Sequence, residues 1–137
     1  MHPEYITEIA HYIENDTNYP IPPMTPFAGQ NFNLTRAGIH ADGLMKNPEI
    51  YNNFDTESIL NRPPKVSITS TSGTAGIVFW LNHSYSRRGG KKYTKKDPLV
   101  TKLYEWVTDQ FDNGRITMIS DAEMEEQIAT LCEPQDL

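Results

Sequence analysis

One short stretch of the 137-residue chain combines a histidine, a carboxylate and two glycines: Gly38-Ile39-His40-Ala41-Asp42-Gly43. A histidine can take up or release a proton near neutral pH, and it can stabilise a developing oxyanion. Glycines on either side let a ligand or another backbone come close. The plainer alternative is a helix histidine satisfied by a neighbour, and the local residues leave both open. No other motif competes. There is no phosphate-binding Gly-rich loop of Walker type, no GxSxG, no HExxH and no Cys/His cluster. The other histidines, His2, His11 and His83, are scattered. Cys132 is the single cysteine, which rules out an internal disulfide and a cysteine-based zinc site.

The elements that must position His40 read as mainly α. Ile6, Ile9 and Ile13 recur at helical spacing over residues 3–15, with Pro3 and Glu4 suited to a first turn. Four of the ten prolines fall within residues 20–26. Proline fixes φ and biases the residue before it to extended geometry, so residues 19–30 are expected to form a stiff, extended connector. Over residues 31–47, Ala37, His40, Ala41 and Leu44 keep helical spacing, although Gly38 and Gly43 weaken it. Asp55 or Thr56 caps a short helix through Leu60, and Val66 and Ile68 alternate in a short extended stretch.

Residues 75–83 are strongly apolar and by composition would suit a strand; the four-residue spacing of Gly76 and Trp80 and the hydroxyl caps offered by residues 70–74 favour a buried helix. Residues 84–96 carry six of the twelve basic residues and no acid, which reads as a flexible loop. Asp97 as N-cap and Pro98 at the first position then open a helix with a stripe of Leu99, Leu103, Trp106, Val107 and Phe111, ending near Gly114. Ser120-Asp121-Ala122-Glu123 is a capping box for a last helix over residues 121–131, with Met124, Ile128 and Leu131 inward.

Composition bounds the function. The length suits one domain and is far short of a (β/α)8 barrel of about 250 residues. A net charge of −6 argues against nucleic acid as a partner. The longest apolar run has five residues, where a membrane span needs about 20. The first residues have neither the basic nor the apolar region of a signal peptide, so a cytoplasmic protein is expected. The opening helix has no lead-in, which suggests a piece of something longer.

The stretch from Pro22 to Tyr51 resembles the segment that follows the catalytic barrel in 2-isopropylmalate and homocitrate synthases. That pattern is a Pro-rich connector, then Gly-Glu-Asn, Gly-Ile-His-x-Asp-Gly, and Lys-Asn-Pro-x-x-Tyr. Here it stands as Gly29-Gln30-Asn31, Gly38-Ile39-His40-Ala41-Asp42-Gly43 and Lys46-Asn47-Pro48-Glu49-Ile50-Tyr51. The form Asn33-Leu34-Thr35-Arg36, with Ile50-Tyr51-Asn52-Asn53-Phe54-Asp55-Thr56, is most similar to the Re-citrate synthase branch. The resemblance spans roughly residues 3–130.

It implies a small helical subdomain with at most a short strand, normally appended to a TIM barrel. Its parts would be a connecting helix (1–18), the Pro-rich connector (19–30), helices that complete an active site (31–62) and a helical C-terminal part (63–137). The implied reaction is a metal-assisted Claisen condensation of acetyl-CoA with a 2-oxo acid. Candidate acids are oxaloacetate, 2-oxoglutarate and 2-oxoisovalerate. The Mg²⁺ or Mn²⁺ would sit on the missing barrel and none on this chain. The subdomain would close the barrel mouth of a homodimer partner, and the isolated chain would be inactive.

By motif position the catalytic residues are His40 and Tyr51. Asn31, Thr35, Arg36 and Asp42 would contact substrate or frame the site. Many relatives carry a histidine where Thr35 stands. Arg36 beside it is either a fork for the extra carboxylate of a dicarboxylate or a solvated helix residue. Asp42 either orients His40 or frames the helix. The basic loop either meets the phosphates of CoA or is a solvated linker. The rival from another class is a non-catalytic helical module for protein–protein assembly.

Overall fold

The computed structural model describes residues 2–36, 38–47, 53–85 and 91–131, with the side chains of Gly38 and Ile39 outside the description. Tyr51, Arg87, Arg88 and Cys132 therefore lie outside the described residues. The elements in order are α1 (Tyr5–Thr17), β1 (Leu34–Thr35), α2 (Gly38–Lys46), α3 (Thr56–Leu60), β2 (Lys65–Val66), α4 (Thr74–Trp80), α5 (Pro98–Asp112) and α6 (Asp121–Leu131). A π-helical turn, Leu81–Tyr85, prolongs α4. The class is mainly α, as expected. No described helix is long and apolar enough to cross a membrane.

The core gathers on α4. Every residue from Ala75 to Trp80 is buried. Ile77, Leu81, Val100, Leu103, Val107, Met124 and Ile128 pack in one cluster that joins α4, α5 and α6. The α5 stripe is rotated from the expected one. Val100, Leu103 and Val107 are buried, while Leu99, Trp106 and Phe111 flank them half-buried. The capping box of α6 is present. Ser120 N–H donates to Glu123 Oε2 at 2.8 Å, and Glu123 N–H donates to Ser120 Oγ at 3.3 Å.

Two expected caps are built differently. Gly73 holds the N-cap position of α4 without a side-chain bond, and the hydroxyl of Ser72 donates instead to Ser67 O at 3.0 Å. Asp97 occupies the N-cap position of α5, but its carboxylate turns back to accept from Thr94 N–H and Thr94 Oγ1. Those bonds hold the Asp97 carboxyl below its ordinary value. They also tie down the described end of the basic loop. There Tyr93 is buried, and its backbone exchanges two hydrogen bonds with the Asn82 side chain. A flexible linker across all of residues 84–96 is thus corrected for residues 93–96.

The N-terminal third departs most from expectation. From residue 22 on, the connector is not an extended spacer but a chain of turns. Thr25 N–H donates to Pro22 O at 2.9 Å, which puts Pro23 at the second turn position that proline favours. Asn31 N–H reaches back to Pro23 O at 2.7 Å, and Gly29 N–H to Thr25 O at 2.8 Å. A Cβ on Gly29 would lie 2.3 Å from the Pro23 carbonyl oxygen, so only glycine allows this coil to close. Arg62 locks it from outside: its guanidinium donates to Ala28 O at 3.2 Å and Gly29 O at 2.8 Å, and lies 5.0 Å from the centre of the Phe32 ring.

β1 follows where a helix was expected from residue 31. It pairs in parallel with β2, Leu34 opposite Lys65 and Thr35 opposite Val66. A parallel pair needs a crossover connection, and α2 and α3 supply it.

Candidate functional site

β1 delivers the chain to α2 at the surface. Thr35 O accepts from Ser67 N–H at 2.8 Å, which fixes the strand end. Arg36 is exposed, and its carbonyl sits among hydroxyls: Thr69 Oγ1 at 3.3 Å, Thr71 Oγ1 at 3.5 Å and Ser72 Oγ at 3.5 Å. The Ser/Thr-rich loop read only as a source of caps is therefore what steadies the turn from β1 towards α2.

α2 is rooted by its apolar side. Ala41 is fully buried and Leu44 nearly so, against Val66 and Phe79. His40, adjacent to Ala41, is exposed. One helix turn thus holds a rigid core contact and a surface imidazole side by side. This is the arrangement a positioned proton carrier needs, because the backbone that carries it cannot drift.

Asp42 is framed by cations. Its Oδ2 lies 2.6 Å from Lys46 Nζ, one helix turn on, and its Oδ1 lies 2.8 Å from Lys95 Nζ. The hydrogen bonds from Lys46 and Lys95 pull its carboxyl down to about 2, and the same contact raises Lys46. Both oxygens accept from lysines, so Asp42 frames α2 and ties it to the loop before α5. Lys95 is 53 residues away in sequence, and no local pattern pointed to it.

The remaining site residues fall as follows. Thr35 is half-buried in β1. Asn31 is half-buried, and its N–H bond to Pro23 O joins it to the connector. The structure brings Thr35, Arg36, His40 and Asp42 onto one β1–α2 unit. Among the described residues no group of three His, Cys, Asp or Glu side chains could hold a metal ion.

Two organising residues escaped the sequence reading. Arg62 is buried, and burial lowers its pKa while the nearby Glu14 charge raises it. Asn33 is buried too and donates from Nδ2 to Arg62 O at 3.2 Å and Pro63 O at 2.9 Å. Together they pin the connector and the start of β1 to the chain after α3. A cleft of about 270 Å³ opens beside them, lined by Thr7, His11, Gln30, Asn61, Arg62 and Lys65, and His40 does not line it.

No family model matches the chain. Among curated proteins, it is 46% identical over 123 residues to a citrate (Re)-synthase of Syntrophus aciditrophicus, covering 90% of this chain and 20% of that protein. It is 46% identical over 120 residues to a citrate (Re)-synthase of Clostridium kluyveri, covering 88% of this chain and 26% of that protein. A 2-phosphinomethylmalate synthase of Streptomyces hygroscopicus is 39% identical over 100 residues, 73% of this chain and 22% of that protein. (R)-citramalate and 2-isopropylmalate synthases match at lower identity or over shorter spans. The chain spans about a fifth to a quarter of the length of the curated relatives it matches most fully.

Proposed function

Since the chain belongs to the Re-citrate and 2-isopropylmalate synthase family, on the Re-citrate branch, we propose that it completes the active site of such an enzyme. The reaction joins acetyl-CoA to a 2-oxo acid, with oxaloacetate giving citrate. A proton leaves the acetyl methyl, the methyl carbon bonds to the ketone carbon as the ketone oxygen takes up a proton, and water cleaves the thioester to a carboxylate and free CoA. The partner is a catalytic barrel, of the same protomer or of a homodimer partner, in a cytoplasmic enzyme of carboxylic acid metabolism. The divalent ion such a reaction calls for does not fit the donor set of the described residues, so no step of this chain runs through it.

The observation that carries the proposal is the exposed imidazole of His40 on a helix rooted by Ala41 and Leu44. His40 meets the acetyl thioester. It donates a hydrogen bond to the thioester oxygen as negative charge gathers there, and it passes a proton as the enolate forms and collapses. Tyr51 serves as a phenolic donor to the developing alkoxide. Arg36 extends its guanidinium to the second carboxylate of oxaloacetate, which a fork-shaped donor grips better than a point charge. Asn31 and Thr35 offer an amide and a hydroxyl to the same acid. Asp42 keeps α2 in place through Lys46 and Lys95.

The test uses a full-length synthase that carries this chain. His40→Ala lowers kcat for CoA release by about 10²–10⁴-fold, while KM for acetyl-CoA moves only a few-fold. An unchanged kcat overturns the assignment. Arg36→Ala lowers kcat/KM for oxaloacetate more than for monocarboxylic 2-oxo acids. An unaltered preference removes Arg36 from the site.

A further inference from the structure

The cleft beside the connector gathers positive charge in a chain whose net charge is −6. Arg62 and Lys65 line it together with His11, Asn61, Gln30 and Thr7, and no acid does. Arg62 is 8% exposed, and among the described residues its guanidinium meets only neutral groups: the carbonyls of Ala28 and Gly29 and the Phe32 ring. A buried charge is costly unless an opposite charge meets it. The Glu14 charge acts on Arg62 without pairing with it, because the Glu14 carboxylate accepts from Ile21 N–H at 3.1 Å and lies outside the cleft lining. A guanidinium carries five N–H donors, so the two carbonyl bonds leave several for a ligand. Lys65 is exposed at the start of β2, and none of the ion pairs of the described residues includes it.

We propose that this cleft binds a small anion with two or more carboxylates, anchored by Arg62 and Lys65. The site does not depend on the reaction proposed above. At about 270 Å³ the cleft falls just under the roughly 300–1,000 Å³ of ordinary small-molecule pockets, which suits a compact anion and is short of a nucleotide-sized one. The two cations are held apart by Pro63 and Pro64, whose φ is fixed near the polyproline value. That geometry has three residues per turn and rises about 3.1 Å per residue, so Arg62 and Lys65 fall on one side with Cα atoms about 9 Å apart. Cations at that spacing take two carboxylates better than one. The planar guanidinium grips the first as a fork, and the ammonium meets the second as a point charge. Phosphate sites are commonly built from helix N-termini and successive backbone N–H groups. Here the first N–H groups of α1, those of Tyr5 and Ile6, are spent on His2 O and Pro3 O, and α3 contributes Asn61 beyond its C-terminal end. The carbonyls at that end are already engaged: Thr56 O accepts from Arg62 N–H and Leu60 O from Thr7 Oγ1.

The test titrates the chain with tricarballylate, a tricarboxylate, at constant ionic strength and follows the amide signals by NMR. The amides of Gln30, Asn61 and Lys65 should shift together and saturate with a midpoint in the millimolar range or below. Acetate, with one carboxylate, and phosphate should bind about tenfold more weakly or worse. Lys65→Glu changes an exposed side chain, so the fold is kept, and like-charge repulsion should weaken binding by about tenfold or more. Lys92→Glu makes the same charge change at an exposed position outside the cleft and should leave the affinity within about twofold, because salt screens distant charges. Shifts that do not saturate, shifts spread over the other exposed lysines, an unaffected Lys65→Glu variant, or phosphate bound as tightly as the tricarboxylate each overturn the proposal. A second measurement uses a full-length synthase that carries this chain. An amine-acylating reagent should modify Lys65 there as fast as in the chain alone, and tricarballylate should slow it in both. Protection of Lys65 in the synthase without added anion means that the catalytic part already fills the cleft, which also overturns the proposal.

Discussion

The α4–α6 region and the α1–connector region are held by different physics. In the first, Ile77, Leu81, Val100, Leu103, Val107, Met124 and Ile128 share one buried apolar cluster. In the second, α1 buries Ala10 alone, and residues 22–31 are held by backbone turns and the guanidinium of Arg62. Apolar burial is non-directional and grows with area, so the first region tolerates local change as long as volume is kept. Hydrogen-bonded coils depend on individual donors, so the second is sensitive to single groups. The site unit, β1 and α2, lies at the junction: β1 follows the coil and α2 packs on α4. His40 therefore inherits its rigidity from the apolar region and its approach from the polar one.

The largest break in this contrast comes from the core. Leu103→Ala, at a fully buried position, should cost about 2–5 kcal/mol in urea unfolding of the chain, whereas Ile9→Ala should stay within about 0.5 kcal/mol. Equal losses would abolish the distinction between the two regions.

Arg62→Ala comes next, at about 1–3 kcal/mol, because it removes the guanidinium donors to the carbonyls of Ala28 and Gly29. Amide exchange should separate its effect from a global one. The Gly29 and Asn31 amides should exchange much faster, and amides in α5 should speed up only by the global loss of stability. Loss confined to α5 would contradict the role given to Arg62.

The smallest effect is in pH. Asp42 and Glu123 both have carboxyls pulled down to about 2, Asp42 by Lys46 and Lys95, and Glu123 by Arg115 and Ser120. A carboxyl lowered in the folded state contributes stability that is fully present above its ordinary pKa near 4 and is lost as pH falls through about 2. Unfolding midpoints measured from pH 5 down to 2 should fall, with a shallower slope in Asp42→Asn and in Glu123→Gln. Both pairs are partly open to solvent, and salt should weaken the effect. An unchanged slope in both variants would show that these pairs contribute nothing.

Legibility in the sequence followed the range of the interaction. The capping box Ser120–Glu123, the Asp55 cap of α3 and the Pro98 start of α5 were readable, because each joins residues within three positions. The capping-box glutamate has a second partner, Arg115, that a reading by motif alone missed. The Asp97 carboxylate was misread, because Thr94 on its N-terminal side offers two donors in competition with the helix. The connector was misread because proline statistics describe an isolated chain, whereas Arg62 bonds to it across 33 and 34 residues.

The sequence by itself determined the helical class, most helix ends and the Gly38–Gly43 motif with His40 at its centre. These depend on propensity, capping and residue order, which act within a few positions. The tertiary structure alone decided that β1 pairs with β2, that Asp42 answers to Lys95, that Arg62 coils the connector and that α1 shows its isoleucine and tyrosines to the outside. Each of those joins segments far apart in the chain, or leaves a face outside the core, and a local pattern carries no record of what will lie opposite.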